Sequence, residues 1–330
     1  MSLLLLAIVL SFVPALVYAS VIYWLDRYEK EPRLLLGGVF MWGAFVSTFG
    51  AIVWSLVFQG TFLLLTQSEG ATEIFGASVV APLVEETLKG LAVLIVFIAF
   101  RREFDSVLDG IVYGGIVGLG FAATENVLYL LSAADEGGVG GLIALWVLRV
   151  ILGGWNHAFY TAFTGIGLAL SRLSRSQYVR VTAPLLGIVF AMGAHATHNS
   201  IGTLLGDAGL AALGVTLLVD WFGWALMLGV VVWALRREGR WMRTYLREEV
   251  QHGVISQAQY ATAISTWAQT GARLRALGAG RYRPIRRFYQ LCGELAQKKH
   301  QRDVQGDEAG NNAIIERLRG ELAQLAPSAI

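Results

Sequence analysis

Seven stretches of this 330-residue chain are long and apolar enough to cross a bilayer, and that constrains its fold more than anything else in it. A hydrocarbon layer about 30 Å thick takes roughly 20 apolar residues in helical form. Inside it, only helices or closed barrels satisfy every backbone hydrogen bond. The stretches cover 2–24, 34–65, 74–100, 109–132, 142–171, 181–205 and 210–235. The second and fifth are long enough to include a tilt or a break. In the fifth, Arg149 followed by Gly153-Gly154 predicts a short interfacial helix ahead of the span proper. The opening MSLLLL has no basic residues, so the first stretch reads as a span rather than a cleaved signal peptide. Val17-Tyr18-Ala19 is the feature that would fit the signal. The expected fold is all-α: a polytopic membrane helix bundle of about seven transmembrane helices.

Charge divides the chain in two. Residues 1–235 hold 10 Lys/Arg and 15 Asp/Glu, net −5, whereas 236–330 hold 16 and 9, net +7. The first segment reads as a transmembrane domain and the second as a basic cytosolic helical tail. Only 15% of the residues are charged, against about 25% in soluble domains, which excludes an ordinary soluble enzyme. The single cysteine, Cys292, excludes a disulfide framework or a cysteine metal site within one chain. Nothing points to a nucleic-acid partner. In the tail, Ser256 predicts a cap for a helix to about Leu277. Pro284 predicts the opening of another through Lys299, and 311–325 a last one, with QRDVQGDEAGNN as a polar linker.

Basic residues occupy alternate loops. Arg27, Lys30 and Arg33 lie in the first, Arg101 and Arg102 in the third, Arg172, Arg175 and Arg180 in the fifth; the second, fourth and sixth have none. The positive-inside rule then gives an outside N-terminus and a cytoplasmic tail.

Ionisable residues at membrane depth are costly and mark function. Glu86 lies 15 residues from Arg101, Glu125 16 from Asp109, His157 15 from Arg172 and His195 15 from Arg180. At 1.5 Å per residue all four sit about 22–24 Å from the same face. Independent core histidines would not line up in this way, so the layer predicts one polar cavity. Lys89 follows Glu86 by three residues and Glu85 by four, so it can neutralise one carboxylate across a turn and leave the other to handle protons. Glu86 is favoured as the paired one, though the spacing itself does not fix which of the two it is. His195 and Asn199 share a helical face. Gly110, Gly114 and Gly118 put small-xxx-small spacing around Glu125, a packing signal. No HExxH, CxxC or GxSxG occurs. The set suits a carboxylate that activates water, histidines that share the proton, and an amide that donates to an oxyanion. Glu85, His157 and His195 could alternatively hold a zinc ion; no cofactor is the favoured reading. Arg149 reads as an interfacial snorkelling residue, Asp109 as a helix cap, Asp220 as a bond across helices, and His198 as a neighbour bonded to a backbone carbonyl.

APLVEETLKG (81–90), DGIVYGGIVGLGFAATEN (109–126), NHAFYTAFTGIGLA (156–169) and HATHN (195–199), with DRYEKEP after the first span, resemble the PrsW family of intramembrane proteases, within the wider CAAX-prenyl and bacteriocin-processing superfamily. The resemblance covers about 20–235 and leaves the tail outside. It implies that Glu85 and Glu86 are the paired glutamates, Lys89 the basic residue after them, Glu125 the glutamate before an Asn, and His157 and His195 with Asn199 the later motifs. It implies a Glu/His-activated water, a His/Asn oxyanion site, and membrane-anchored protein substrates such as anti-sigma factors in a bacterial cell membrane. Two other classes compete. In a proton- or cation-coupled transporter the same layer would be a relay, though no inverted halves are apparent. In a scaffold it would be a degenerate site.

Overall fold

A computed structural model describes residues 2–26, 28, 30–307 and 310–329, without the Arg102 side chain. The loop charges of Arg27 and Arg102 and part of the expected linker therefore lie outside the described residues. Helices account for nearly all of the chain, and no strand occurs among the described residues. The chain divides into two compact units, Met1–Trp24 with Pro32–Val230, and Leu25–Glu31 with Val231–Ile330.

In the first unit, α1 (Leu3–Leu25) is followed by α2, continuous over Arg33–Thr66 through a π-helical segment at Trp42–Ser47. α3 (Glu69–Phe75) passes through a second π-helical turn, Gly76–Val80, into α4 (Ala81–Ala99), with Pro82 directly after the π-helical turn. α5 (Val107–Trp146) opens on a capping box. Ser106 Oγ accepts from the Leu108 and Asp109 amides, and Asp109 accepts from the Ser106 amide at 2.7 Å. Asp109 is thus the cap its position suggested.

α5 is two helices in one. Gly138, at φ 60° and ψ −152°, turns the chain back so that Leu142 packs with Leu130 and Ala134. The returning arm ends in a third π-helical turn, Val147–Leu152, and after Gly153–Trp155 the chain continues as α6 (Asn156–Leu173). The expected interfacial helix is instead this returning arm. α7 (Gln177–Leu205) and α8 (Leu210–Gln251) complete the set. Among the described residues, five helical stretches are long and apolar enough to span by length and composition: Leu3–Leu25, Arg33–Thr66, Val107–Leu173, Gln177–Ala208 and Leu210–Gln251. The expectation of seven differs for two physical reasons. α4 carries Glu85, Glu86 and Lys89 in 19 residues, and the fourth and fifth apolar stretches are joined with no loop between them.

α5 and α6 pack backbone to backbone. A Cβ at Gly110 would meet the Gly165 carbonyl, and one at Gly118 would meet the carbonyl of His157. The small-xxx-small register therefore sets how closely Glu125 and His157 approach.

The second unit has its own core, in which Leu246, Phe288, Leu291, Leu295 and Leu322 are fully or almost fully buried. Tyr28 joins that core, its backbone lying against Gly293. α8 runs past residue 235 without interruption. The helix expected from Ser256 to Leu277 is broken. Ser256 does cap α9 (Gln257–Ala263), but Ser265 caps a new helix, α10 (Thr266–Gly278). α11 (Tyr282–Gln305) outlasts its expected end at Lys299, and α12 covers Asn311–Leu325 as read.

Candidate functional site

Lys89 organises the site by counting. An ammonium has three donors and accepts nothing. Its Nζ lies 2.5 Å from Glu86 Oε1, 3.2 Å from His157 Nδ1 and 3.5 Å from Glu85 Oε2, fully buried over the Phe121 ring. Three donors thus meet three acceptors. Because Lys89 can only donate, His157 Nδ1 holds a lone pair and the His157 proton sits on Nε2. That N–H donates to Glu125 Oε2 at 2.9 Å.

Glu86 is the more heavily engaged of the paired glutamates. Besides Lys89, it accepts from Thr161 Oγ1 at 2.9 Å and from His195 Nδ1 at 3.0 Å. Glu85 has only the longer contact to Lys89, as expected of the freer carboxylate. With its Nδ1 proton committed to Glu86, His195 keeps a lone pair on Nε2, 3.9 Å from Glu85 Oε2. That gap is too wide for a direct hydrogen bond. The family resemblance implies a His/Asn oxyanion site, in which His195 would donate; the tautomer set by Glu86 gives the neutral ring an acceptor there instead.

Glu125 is held from the other side by Arg149. The guanidinium donates to Glu125 Oε2 at 2.6 Å and, through Nε, to Asn126 Oδ1 at 3.0 Å, and lies 3.8 Å from the Tyr129 ring centre. Arg149 therefore does not snorkel to the interface. A partly buried carboxylate needs a paired charge, and the returning arm supplies it. The polar chain then runs Arg149, Glu125, His157, Lys89, Glu86, His195 without a break.

A second cluster adjoins it. Asn156 donates to Asp220 Oδ2 at 2.9 Å, His198 Nδ1 lies 3.0 Å from Asp220 Oδ1, and Trp224 Nε1 donates to Asn156 Oδ1 at 3.0 Å. Asp220 bonds across helices as read, but His198 faces this carboxylate rather than a backbone carbonyl. Asn199, one turn from His195, donates to the Ala77 carbonyl at 2.9 Å through one of its two amide hydrogens. A cavity of about 610 Å³ is lined by Glu85, Glu125, His157, His195, Asn199 and Asp220, among others. A smaller groove of about 360 Å³, between α2 and α5, also reaches Glu85 and Glu125.

Glu85, His157 and His195 each offer a ligand atom, all within 4.8 Å of one another. By residue type this is a three-ligand catalytic zinc set. His195 fits it, with a lone pair on Nε2 and a carboxylate behind Nδ1. His157 does not: Nδ1 accepts from Lys89, and Nε2 donates to Glu125. As arranged, the residues do not fit a three-ligand metal.

All six residues expected at the site line the cavity or bond to those that do. Arg149, Thr161, Asn156 and Trp224 were missed. Asn156 stands beside His157 in the sequence and could have been found as a polar pair in a span. Arg149 could not, because its depth depends on where the chain turns back.

Residues 31–237, which include every residue of the site, match the family model described as PrsW family intramembrane metalloprotease. Protease PrsW of Bacillus subtilis (strain 168) is 28% identical over 210 residues, 64% of this chain and 88% of the relative. Protease PrsW of Clostridioides difficile (strain 630) is 37% identical over 124 residues, 37% of this chain and 50% of the relative. Protease PrsW of Geobacillus kaustophilus (strain HTA426) is 30% identical over 167 residues, 50% and 67% of the two chains. No solved structure matches the chain significantly. With a family model covering well over half its length, and the whole charged layer inside the match, this chain belongs to the PrsW family of intramembrane proteases.

Proposed function

We propose that the protein hydrolyses peptide bonds of membrane-anchored protein substrates with a water activated by Glu85 and His195, without a metal. The observation that carries this reading is the 3.9 Å gap between the Glu85 carboxylate and the His195 Nε2 lone pair, at the wall of the cavity. A water between them would have an acceptor for each of its protons. As its oxygen attacks the carbonyl carbon, Glu85 takes one proton and His195 steadies the other. Negative charge gathers on the carbonyl oxygen, and the second amide hydrogen of Asn199 is available to it. Collapse breaks the C–N bond, and the proton held by Glu85 passes to the leaving nitrogen, giving an amine and a carboxylic acid whose remaining proton passes to the His195 Nε2 lone pair as the carboxylate leaves. Glu86, Lys89, Glu125 and His157 fix tautomers and orientation. Among membrane-anchored proteins, substrates of the anti-sigma-factor kind rest on the family resemblance alone.

The test is cleavage of a single-pass substrate by purified protein in nanodiscs. Glu85→Gln should lower kcat by about 10²–10⁴-fold and Asn199→Ala by about 10²–10³-fold, with wild-type activity surviving chelation. Activity lost to chelators and restored by stoichiometric zinc would assign Glu85, His157 and His195 to a metal, which would act as a Lewis acid. Proton-coupled uptake in liposomes with no cleavage would support the transporter reading.

The loop charges support an outside N-terminus and a tail in the cytoplasm of a bacterial cell. Cysteines placed at Glu69 and Asp207 should label from outside intact cells, and one at Gln257 should not; the reverse pattern overturns the topology. Native Cys292 is fully buried, so its silence would not report sidedness.

A further inference from the structure

α10 shows its most apolar side to the surroundings. Its inner face carries buried Gln269 and Ala276, with Gln269 donating to the Ala263 carbonyl at 2.7 Å. Its outer face carries Trp267, Leu274 and Leu277, which are 83%, 62% and 56% exposed. At 100° per residue the three fall within one side of the helix, with Thr270 and Gly271 between them. Arg273 and Arg275 flank the stripe. A solvated helix would turn its charges outward, so this one lacks a cover.

Charge identifies the cover. From residue 250 to residue 293 the chain has six arginines and no Asp or Glu. Arg287 is taken by Glu294 and Glu321, both at 2.9 Å. Arg275, on α10, and Arg283, in the first turn of α11, are exposed. An exposed tryptophan and two leucines between arginines, with no acidic residue, are the composition of a helix lying in the headgroup layer. The tether agrees. The last apolar stretch ends near residue 235, and the second unit begins at Val231 on the same unbroken helix, so this unit starts where the bilayer ends.

We propose that the α10 face docks on the anionic bilayer surface. Trp267, Leu274 and Leu277 enter the boundary between headgroups and acyl chains, and Arg275 and Arg283 bind lipid phosphates. The docking is independent of the protease chemistry.

The test uses the full chain in nanodiscs of neutral phosphatidylcholine, with or without anionic phosphatidylglycerol. An environment-sensitive fluorophore is attached at Leu274→Cys; native Cys292 does not compete, because it is buried and its burial pushes the thiol up. Quenchers on the acyl chains should quench the label in anionic discs and several-fold less in neutral ones. Each of Arg275→Gln and Arg283→Gln should lower the docked-to-free ratio about fivefold, since a basic residue at an anionic surface is worth about 1 kcal/mol. Hydrogen exchange across 266–283 in the unlabelled protein should slow in anionic discs in parallel. Absence of lipid quenching in both compositions would overturn the proposal, as would quenching indifferent to lipid charge and to the arginine variants. A label shielded equally in detergent, with cross-links between copies at Trp267→Cys, would assign the face to a second copy instead.

Discussion

At the scale of single residues, the site is a problem of matching donors to acceptors, and Lys89 leaves no donor over. That makes the arrangement brittle in a specific way. Arg149 touches neither Glu85 nor His195, yet it fixes Glu125, which fixes the His157 proton and so the direction of the Lys89 bond. Arg149→Gln should lower kcat by about 10²-fold through misplacement of this order, with KM little changed. Arg149→Lys, which keeps the charge and loses the Nε bond to Asn126, should recover part of it. Equal losses in both variants, or a loss confined to KM, would give Arg149 a role in binding. That Lys89 pairs with one of the two glutamates was legible from three- and four-residue spacing; which of them it holds at the shorter distance was not, since either spacing allows the contact. The tautomers of His157 and His195 were not, because they depend on partners 68 and 109 residues away.

At the scale of elements, α5 and α6 meet so closely that glycine is required at the contact. Gly118→Ala would press a methyl group into the His157 carbonyl and move that helix away from Glu125. Cleavage should fall sharply while the helical circular dichroism stays unchanged. Gly140→Ala, which opens into empty space, is the matched control and should be silent. Gly138→Ala is a different lesion: at φ 60° and ψ −152°, a region essentially reserved for glycine, a side chain costs about 1–3 kcal/mol, so the melting temperature should drop. The close contact was readable in advance from Gly110, Gly114 and Gly118. The turn was read in the right place, as a loop over 133–141, but it contracts to a single residue with helix on both sides. That contraction brings Arg149 back to the depth of Glu125, and no periodicity in 139–152 announces it. The broken helix in the tail was hidden for a similar reason. Ser265 is an ordinary polar residue until its hydroxyl accepts from the Ala268 amide and starts α10.

At the scale of the whole molecule, the two units are stabilised by different means. The second unit is tied by Glu249, fully buried between Lys299 at 2.5 Å and two Arg319 nitrogens at 2.9 Å. Burial works to raise the Glu249 carboxyl, but the Arg319 and Lys299 hydrogen bonds outweigh it and hold it below its ordinary value of 4.5. A carboxyl depressed by folding stabilises the fold above its unfolded pKa, and that stability is lost as pH falls through the folded one. Hydrogen exchange in α11 should therefore accelerate as pH drops below about 4.5, after correction for the intrinsic rate, and Glu249→Gln should flatten the response. Tyr28 gives the second unit one more property. This unit draws a residue from the start of the chain into a core otherwise made from its last hundred residues, with Gly293 left bare to receive its backbone. During synthesis the segment around Tyr28 leaves the ribosome more than 200 residues before the first of its partners. It must wait while every apolar stretch between them is inserted, so the second unit closes its core last and only on a chain whose membrane part has already been threaded.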